Sequence, residues 1–449
     1  MKTKLFSSLI VTVALSVVSG AIATESASQP PNLATNAPLQ LTPELITQFA
    51  DEMATNHPAL LAARARTNAA AANVKSIRTW EDPMARVGAM AADEMMRMED
   101  GDFIYGLEQK LPLFGKPGAM RQMARAELAF VAATESLKFQ TLRSELAKAL
   151  FRAALADETI AIAEQDLAWL EVNAKVVEES YRAGRARLMD VLTLQNEQSR
   201  RLEQLKTDRD NRAQTLRGVN RFLNRDLASP WPALQLPPLA AEVRFHPKLL
   251  GYALEQAPEL KQMREEIRMA EASANVARKE RWPEVTIGFE NKTYARDNDV
   301  RSTEYMLGFS IPLGNSSKYR AAVRREEEKR RAAEFEAKNA EQAVREEVHG
   351  LIVKISAARR EALLYRDQII PRSEQALASA KAMFESGGAL RDVLDARRMW
   401  LEGKLMYVRA VTEQYEMLSE LILCCGLGDL EALQMIGVAP ETETETKQP

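Results

Sequence analysis

The tract YRAGRARLMDVL, residues 181–192, returns as FESGGALRDVL, residues 384–394. Each copy ends a long helical pattern, places a glycine (Gly184, Gly387) and resumes at an acidic, apolar start, the pattern of a helical hairpin reversing its direction. Outward from these tracts, further pairs fall into register: Pro58-Ala59-Leu60 with Pro258-Glu259-Leu260, Asn73-Val74 with Asn275-Val276, Trp80 with Trp282, and Leu111-Pro112-Leu113 with Ile311-Pro312-Leu313. A repeat of some 200 residues is far longer than a solenoid unit, so it reads as a duplicated subdomain. The two halves are expected over residues 41–235 and 236–438, each running helix, strand, strand, long helix, tight turn, helix.

Upstream of the first turn, an apolar stripe occupies Leu142, Leu146, Ala149, Ala153, Ala156, Ile160, Ala163, Leu167, Leu170, Ala174, Val177 and Tyr181. Its spacing alternates four and three without a break, as in a coiled-coil seam. The second copy carries Val344, Val348, Leu351, Ile355, Ala358, Ala362, Tyr365 and Ile369, and Pro371 is expected to kink that helix. A helix from Pro117 to Tyr181 would be roughly 96 Å long at 1.5 Å per residue, too long for a compact globule. Returning helices are expected from Leu188 and Leu390, the second with Leu394, Leu401, Leu405, Val408 and Tyr415 on its apolar side.

Between the helices lie short alternating segments. FIYGLEQKL (103–111) sets Tyr105 and Leu107 against Gly106, Glu108 and Lys110, and EVTIGFENK (284–292) sets Val285, Ile287 and Phe289 against Thr286, Gly288 and Glu290. YMLGFSI (305–311) and MARVGAMA (84–91) complete two strand pairs. Apolar-out, polar-in alternation over roughly ten residues suits a membrane barrel with a wet lumen. Lys2 and Lys4, the apolar run from Leu5 to Val18 and Ala21-Ile22-Ala23 read as an export signal over residues 1–23, cleaved before Thr24. No Cys follows that site, so a lipoprotein anchor is not expected. Residues 24–40 and 439–449 read as polar, mobile tails.

After the signal, no apolar run approaches the roughly 20 residues of a spanning helix, so any membrane span must be made of strands. The net charge of −3, with acids and bases interspersed, argues against a nucleic-acid partner. His57, His246 and His349 are scattered, and no HExxH, phosphate loop or Ser-His-Asp arrangement occurs, so neither an enzyme nor a cofactor is expected. Cys424 and Cys425 are adjacent, which disfavours a disulfide between them and suits small apolar filling at the end of the last helix. The expected fold is mainly α with a small β part, and four strands per chain cannot close a membrane barrel whose smallest common form has about eight. The barrel must then be shared, between two copies or three.

These features together resemble the TolC family of outer-membrane factors over roughly residues 41 to 430. The resemblance rests on the paired helix starts NHPAL (56–60) and QAPEL (256–260), the duplicated strand pairs, and the paired turns ending Asp190-Val191-Leu192 and Asp392-Val393-Leu394. It implies a homotrimer in the lipid of a Gram-negative outer membrane, with a shared twelve-stranded barrel above an α-barrel of coiled-coil helices crossing the periplasm. It also implies a periplasmic adaptor (membrane fusion protein) and an inner-membrane resistance-nodulation-division pump as partners. The turns would form the periplasmic tip and meet the adaptor, through Gly184, Arg185, Arg187, Leu188, Asp190, Val191 and Leu192 and through Gly387, Gly388, Leu390, Arg391, Asp392, Val393, Leu394 and Asp395. Leu188, Val191, Leu192, Leu390, Val393 and Leu394 are expected to pack the returning helices, Asp190 and Asp392 to cap them, and Arg185, Arg187, Arg391 or Asp395 to pin a closed tip.

LPLFGKPG (111–118) resembles the heavy-metal efflux branch, the CzcC-like and CusC-like proteins, and implies metal cations as substrate. Met90, Met95, Met96 and Met98 beside Asp93, Glu94, Glu99 and Asp100 offer thioethers suited to a soft ion, or a loop in which the methionines are incidental. Two other readings stay open: an exit duct for drugs or other organic compounds, and a periplasmic coiled-coil adaptor.

Overall fold

The computed structural model describes residues 38–89, 95, 103–294, 296, 299–310 and 316–428. The export signal, the C-terminal tail, Met90, Met96, Met98 and Ile311-Pro312-Leu313 lie outside the described residues. In chain order the elements are β1 (Leu39–Gln40), α1 (Pro43–Asn56), α2 (Pro58–Ser76), β2 (Met84–Ala89), β3 (Phe103–Leu111), α3 (Lys116–Arg182), α4 (Leu188–Leu223), β4 (Leu234–Gln235), α5 (Pro247–Gln256), α6 (Pro258–Glu280), β5 (Glu284–Thr293), β6 (Val300–Ser310), α7 (Ser316–Leu364), α8 (Ile370–Glu385) and α9 (Leu390–Cys425).

Four helices have proline as their first residue, where its missing N–H goes unneeded. Thr42 Oγ1 accepts from Leu45 N at 3.3 Å, and His57 and His246 do the same work through Nδ1, accepting from Ala59 N at 3.2 Å and Lys248 N at 3.1 Å. The chain therefore breaks at His57, whose extended backbone separates α1 from α2.

α3 spans 67 residues and buries Leu142, Leu146, Ala153, Ala163, Leu170 and Val177 of the expected seam. Its last position, Tyr181, is exposed, because α3 ends one residue later and α4 packs through Val191 and Leu194. In α7, Val344, Val348, Leu351, Ile355, Ala358 and Ala362 are all buried. Just before Pro371, where a kink is expected, the α ladder is interrupted: Tyr365–Ile369 form a π turn in which Ile370 N–H reaches back to the Tyr365 carbonyl, and Pro371 then sits in the first turn of α8. Gly403 lies against this turn, where an added Cβ would stand 3.3 Å from Ile370 and 3.5 Å from Ile369.

The main core gathers α1, α3, α5, α7 and α9 around Phe49, Met53, Leu146, Leu150, Phe151, Ile355 and Leu418. Residues 225–246 strap across it. Arg225 makes a bidentate pair with Glu52 (2.7 and 2.6 Å) over the contacting rings of Phe49 and Trp231, and Tyr415 Oη donates to the Pro238 carbonyl at 2.5 Å. The strap also pairs Leu39–Gln40 in parallel with Leu234–Gln235. Thus the segment read as a mobile tail ends in a short strand, because Leu39 and Leu41 donate backbone N–H groups to Ala233 and Gln235 and Leu41 is buried.

The larger sheet is antiparallel in the order β2-β3-β5-β6, which joins the two halves at β3 and β5. β6 starts at Val300, five residues before the strand expected from alternation, since the polar stretch Val300–Glu304 also pairs with β5.

Candidate functional site

Both helical hairpins close with the same backbone device. At the first, Arg185 N donates to Ser180 O (2.8 Å) and Gly184 N to Tyr181 O (2.9 Å); at the second, Gly388 N donates to Met383 O (2.8 Å) and Gly387 N to Phe384 O (3.0 Å). This is the Schellman pair, and it needs a left-handed residue, supplied by Gly184 at φ +73° and Gly387 at φ +101°. Gly388 is also fixed by space, as a Cβ there would lie 2.8 Å from the Met383 carbonyl oxygen.

After the first turn, Asp190 Oδ2 accepts from Arg187 N at 3.2 Å, capping α4 as its acidic start implies. Asp392 lies in the first turn of α9 and donates its own N–H to the Ala389 carbonyl (3.2 Å). Val191, Leu390, Val393 and Leu394 are buried against Leu170, Val177 and Leu377, whereas Leu188 and Leu192 are about half exposed. The expectation that those two leucines pack the hairpin is corrected: they lie about a third of a turn round α4 from Val191 and Leu194. Arg391 pairs with Asp395 along their own exposed helix at 3.6 Å, so within one chain that pair pins nothing across the tip.

The polar links between hairpins lie deeper. Asp166 of α3 is only 4% exposed and meets Arg201 of α4 at 2.7 Å and Arg397 of α9 at 3.0 Å. Arg397 is held between the rings of Trp169 (4.8 Å) and Trp400 (4.7 Å), with Lys404 Nζ 3.8 Å from the Trp400 centroid. Burial, then the Arg397 charge, holds the Lys404 ammonium below its ordinary value. Beside this cluster Arg398 of α9 pairs with Glu197 of α4. Sequence reading placed Leu167 in the seam and passed over Asp166. The available signal was Ala163-Asp166-Leu170, which keeps the three-four spacing with an acid at its centre.

At the other end, the register of the sheet separates two faces. Ala85, Leu107, Phe289 and Tyr305 lie in one cross-strand row, Ile287 and Leu307 in the next, and Leu111, Val285 and Phe309 in another. Tyr305 and Val87 are each 86% exposed on this apolar face. The opposite face carries Arg86 paired with Glu108 (2.8 Å) and Lys292 paired with Glu304 (2.7 Å). It also carries Gly106, where a Cβ would fall 2.5 Å from the Phe289 carbonyl oxygen, and Gly288, 2.9 Å from Glu108 Cγ. The polar face is thus the more crowded one. Where the sheet meets the helices, Phe114 stacks on Trp282 at 5.2 Å and Trp80 is exposed.

Met95 is exposed; the other three candidate methionines lie outside the described residues. Among the described residues no group of three or more His, Cys, Asp or Glu is gathered to hold a metal ion. Cys424 and Cys425 are free and buried, and burial pushes the Cys425 thiol up to about 12, the behaviour of apolar filling rather than of a reactive ligand. No described helix is long and apolar enough to cross a membrane.

Comparison with known proteins agrees with this geometry. The family model described as outer membrane efflux protein matches residues 50–225 and 249–427. The cobalt-zinc-cadmium resistance protein CzcC of Cupriavidus metallidurans is 25% identical over 175 residues, a match spanning 38% of this chain and 40% of that protein. A membrane protein from Pseudomonas aeruginosa superposes with a TM-score of 0.74 at 18% identity, covering 85% of this chain and 92% of its own. CusC superposes with a TM-score of 0.72 at 16% identity, covering 89% and 97%. With duplicated halves, two left-handed glycine turns and a two-faced sheet all present, the chain belongs to the outer membrane efflux protein family.

Proposed function

We propose that this protein is the outer-membrane exit channel of a tripartite efflux system, a homotrimer that passively conducts heavy-metal cations delivered by a periplasmic adaptor and an inner-membrane resistance-nodulation-division pump. The observation that carries the reading is the sheet: four strands, an exposed apolar face, a charged inner face, and edges β2 and β6 with no strand partner among the described residues. In lipid an open edge leaves backbone N–H and C=O groups without hydrogen bonds, so other copies must complete the cylinder. Three copies contribute twelve strands, enough for an aqueous lumen.

The hairpin tips support adaptor contact. Leu188, Met189 and Leu192 stand exposed on α4 after the first turn, and the pair Arg391–Asp395 faces solvent on α9 after the second, so each turn offers exposed side chains, apolar at one and charged at the other. Asp392 and Asp395 near the second turn place carboxylates where departing cations would enter. Metal cations are favoured as substrate by the likeness to CzcC and by the LPLFGKPG tract.

The test has three steps. The full chain is expected in the outer-membrane pellet after alkaline wash, and as a trimer by native mass spectrometry in detergent. A deletion strain is expected to become sensitive to cobalt, zinc and cadmium, or to copper and silver, with unchanged tolerance of organic toxicants. Sensitivity to organic compounds alone would transfer the channel to the drug branch, and a detergent-independent soluble monomer would end the channel reading.

A further inference from the structure

At the membrane end a cleft of about 900 Å³ opens between the end of α6 and the first turns of α7. Arg278, Arg281, Arg320, Arg324 and Arg331 line it. Glu327 pairs with Arg278 at 2.9 Å and Glu328 with Arg331 at 3.0 Å, so five arginines against two carboxylates leave an excess of three positive charges. The hydrogen bond from Arg278, with the charges of Arg331 and Arg330 added, holds the Glu327 carboxyl below its ordinary value, as a positive field requires.

The position of the cleft selects its ligand. Arg281 lies 5.7 Å from the ring centroid of Trp282, which stacks on Phe114 where the sheet meets the helices. Exposed aromatic rings at the end of an apolar sheet face mark the headgroup level of a bilayer. Arg320 and Arg324 sit within the first two to three turns of α7, roughly 6 to 12 Å beyond Ser316. Headgroups occupy roughly the first 5–8 Å outside the hydrocarbon, the level of Arg320, and Arg324 one turn further on lines the same cleft with a side chain that leaves the helix toward its N-terminal, membrane-side end.

We propose that this cleft binds the phosphate of an anionic phospholipid, held by Arg281, Arg320 and Arg324 and fixing the depth of the barrel in the membrane. The inference rests on the membrane placement of the sheet proposed above. Absence of the protein from the alkaline-washed pellet would defeat that placement, whereas an inserted protein indifferent to headgroup charge would defeat only the lipid site.

The experiment titrates the assembled full-length protein, in neutral detergent at low salt, with short-chain phosphatidylglycerol, short-chain phosphatidylcholine and inorganic phosphate, and reads bound ligand by native mass spectrometry. Phosphatidylglycerol should bind at least tenfold more tightly than phosphatidylcholine, and each Arg→Gln change should weaken it about fivefold at low ionic strength. A triple Arg→Lys variant should keep most of the preference, since it keeps the charge. If the triple glutamine variant fails to fold, Arg324→Gln alone carries the fivefold expectation. Equal binding of the two lipids, an unaltered preference in the glutamine variants, inorganic phosphate binding as tightly as phosphatidylglycerol, or loss of the trimer in Arg324→Gln would each overturn the proposal.

Discussion

Replacing Asp166 by Asn tests whether the buried ion cluster holds the two hairpins together. Asp166 is 4% exposed, and its oxygens meet Arg201 at 2.7 Å and Arg397 at 3.0 Å. Removing one partner from a buried pair costs about 3–5 kcal/mol, because the remaining charge stays desolvated. Arg201, 27% exposed, can turn toward water, so its share is discounted, whereas Arg397, 10% exposed and held between two tryptophans, cannot. The lower figure, about 3 kcal/mol, therefore applies, equivalent to roughly a hundredfold in a local opening equilibrium. Hydrogen exchange with mass spectrometry on the detergent-solubilised full chain should show that loss in peptides around Asp166, Arg201 and Arg397. Peptides around Leu150 and Leu418, in the separate main core, should stay unchanged. The double variant Asp166→Leu/Arg397→Met should regain most of the protection, since apolar side chains of similar size fill a buried ion-pair site at little cost. Protection within threefold of the parent in Asp166→Asn, or a loss spread evenly through the main core, would refute the reasoning.

Three other expectations are open to direct measurement. Gly184→Ala places a Cβ on a residue at φ +73° and should destabilise the first hairpin by about 1 kcal/mol, read as faster exchange in residues 177–194. His57 caps α2 through Nδ1, and burial, then Lys138 and Arg221, hold its pKa below 6.5. The unfolded chain therefore takes up the proton first as pH falls, so stability complete above pH 6.5 declines from there toward the lowered folded value. The thermal midpoint of the parent should drop more between pH 7.5 and 5.5 than that of His57→Asn, which caps without titrating; parallel drops would contradict this. Gly106→Val sets a side chain where a Cβ already comes within 2.5 Å of the Phe289 carbonyl, so β3 and β5 should fail to pair, read as lost hydrogen-exchange protection in peptides covering residues 103–111 and 284–293; unchanged protection there would contradict it.

Much of the architecture was legible because it is written in short-range periods. The three-four stripe of α7 is buried from Val344 to Ala362, and β3 runs over the nine residues whose alternation announced it. The repeated Gly184 and Gly387 both occupy left-handed turns, since few other residues tolerate that backbone. Where the reading departed from the structure, the cause was a partner distant in the chain. Leu188 and Leu192 are apolar yet exposed, because the orientation of α4 is set by Val191 and Leu194 meeting Leu170, Val177 and Leu390. Leu39–Gln40 looked like a polar tail until Leu234–Gln235 offered it a strand partner.

From its residues alone, then, this chain fixes which segments are helix, strand and turn, and that two similar halves exist, because backbone periodicity and glycine conformations depend on neighbours a few residues away. Only the tertiary structure decides which charges meet. Asp166 and Arg397 lie 231 positions apart, and no local pattern states that an acid in one seam is neutralised by an arginine returning from the other half. Burial makes such a pairing obligatory, since a desolvated carboxylate must find a cation or lose its charge, but the packing of three helices selects the partner.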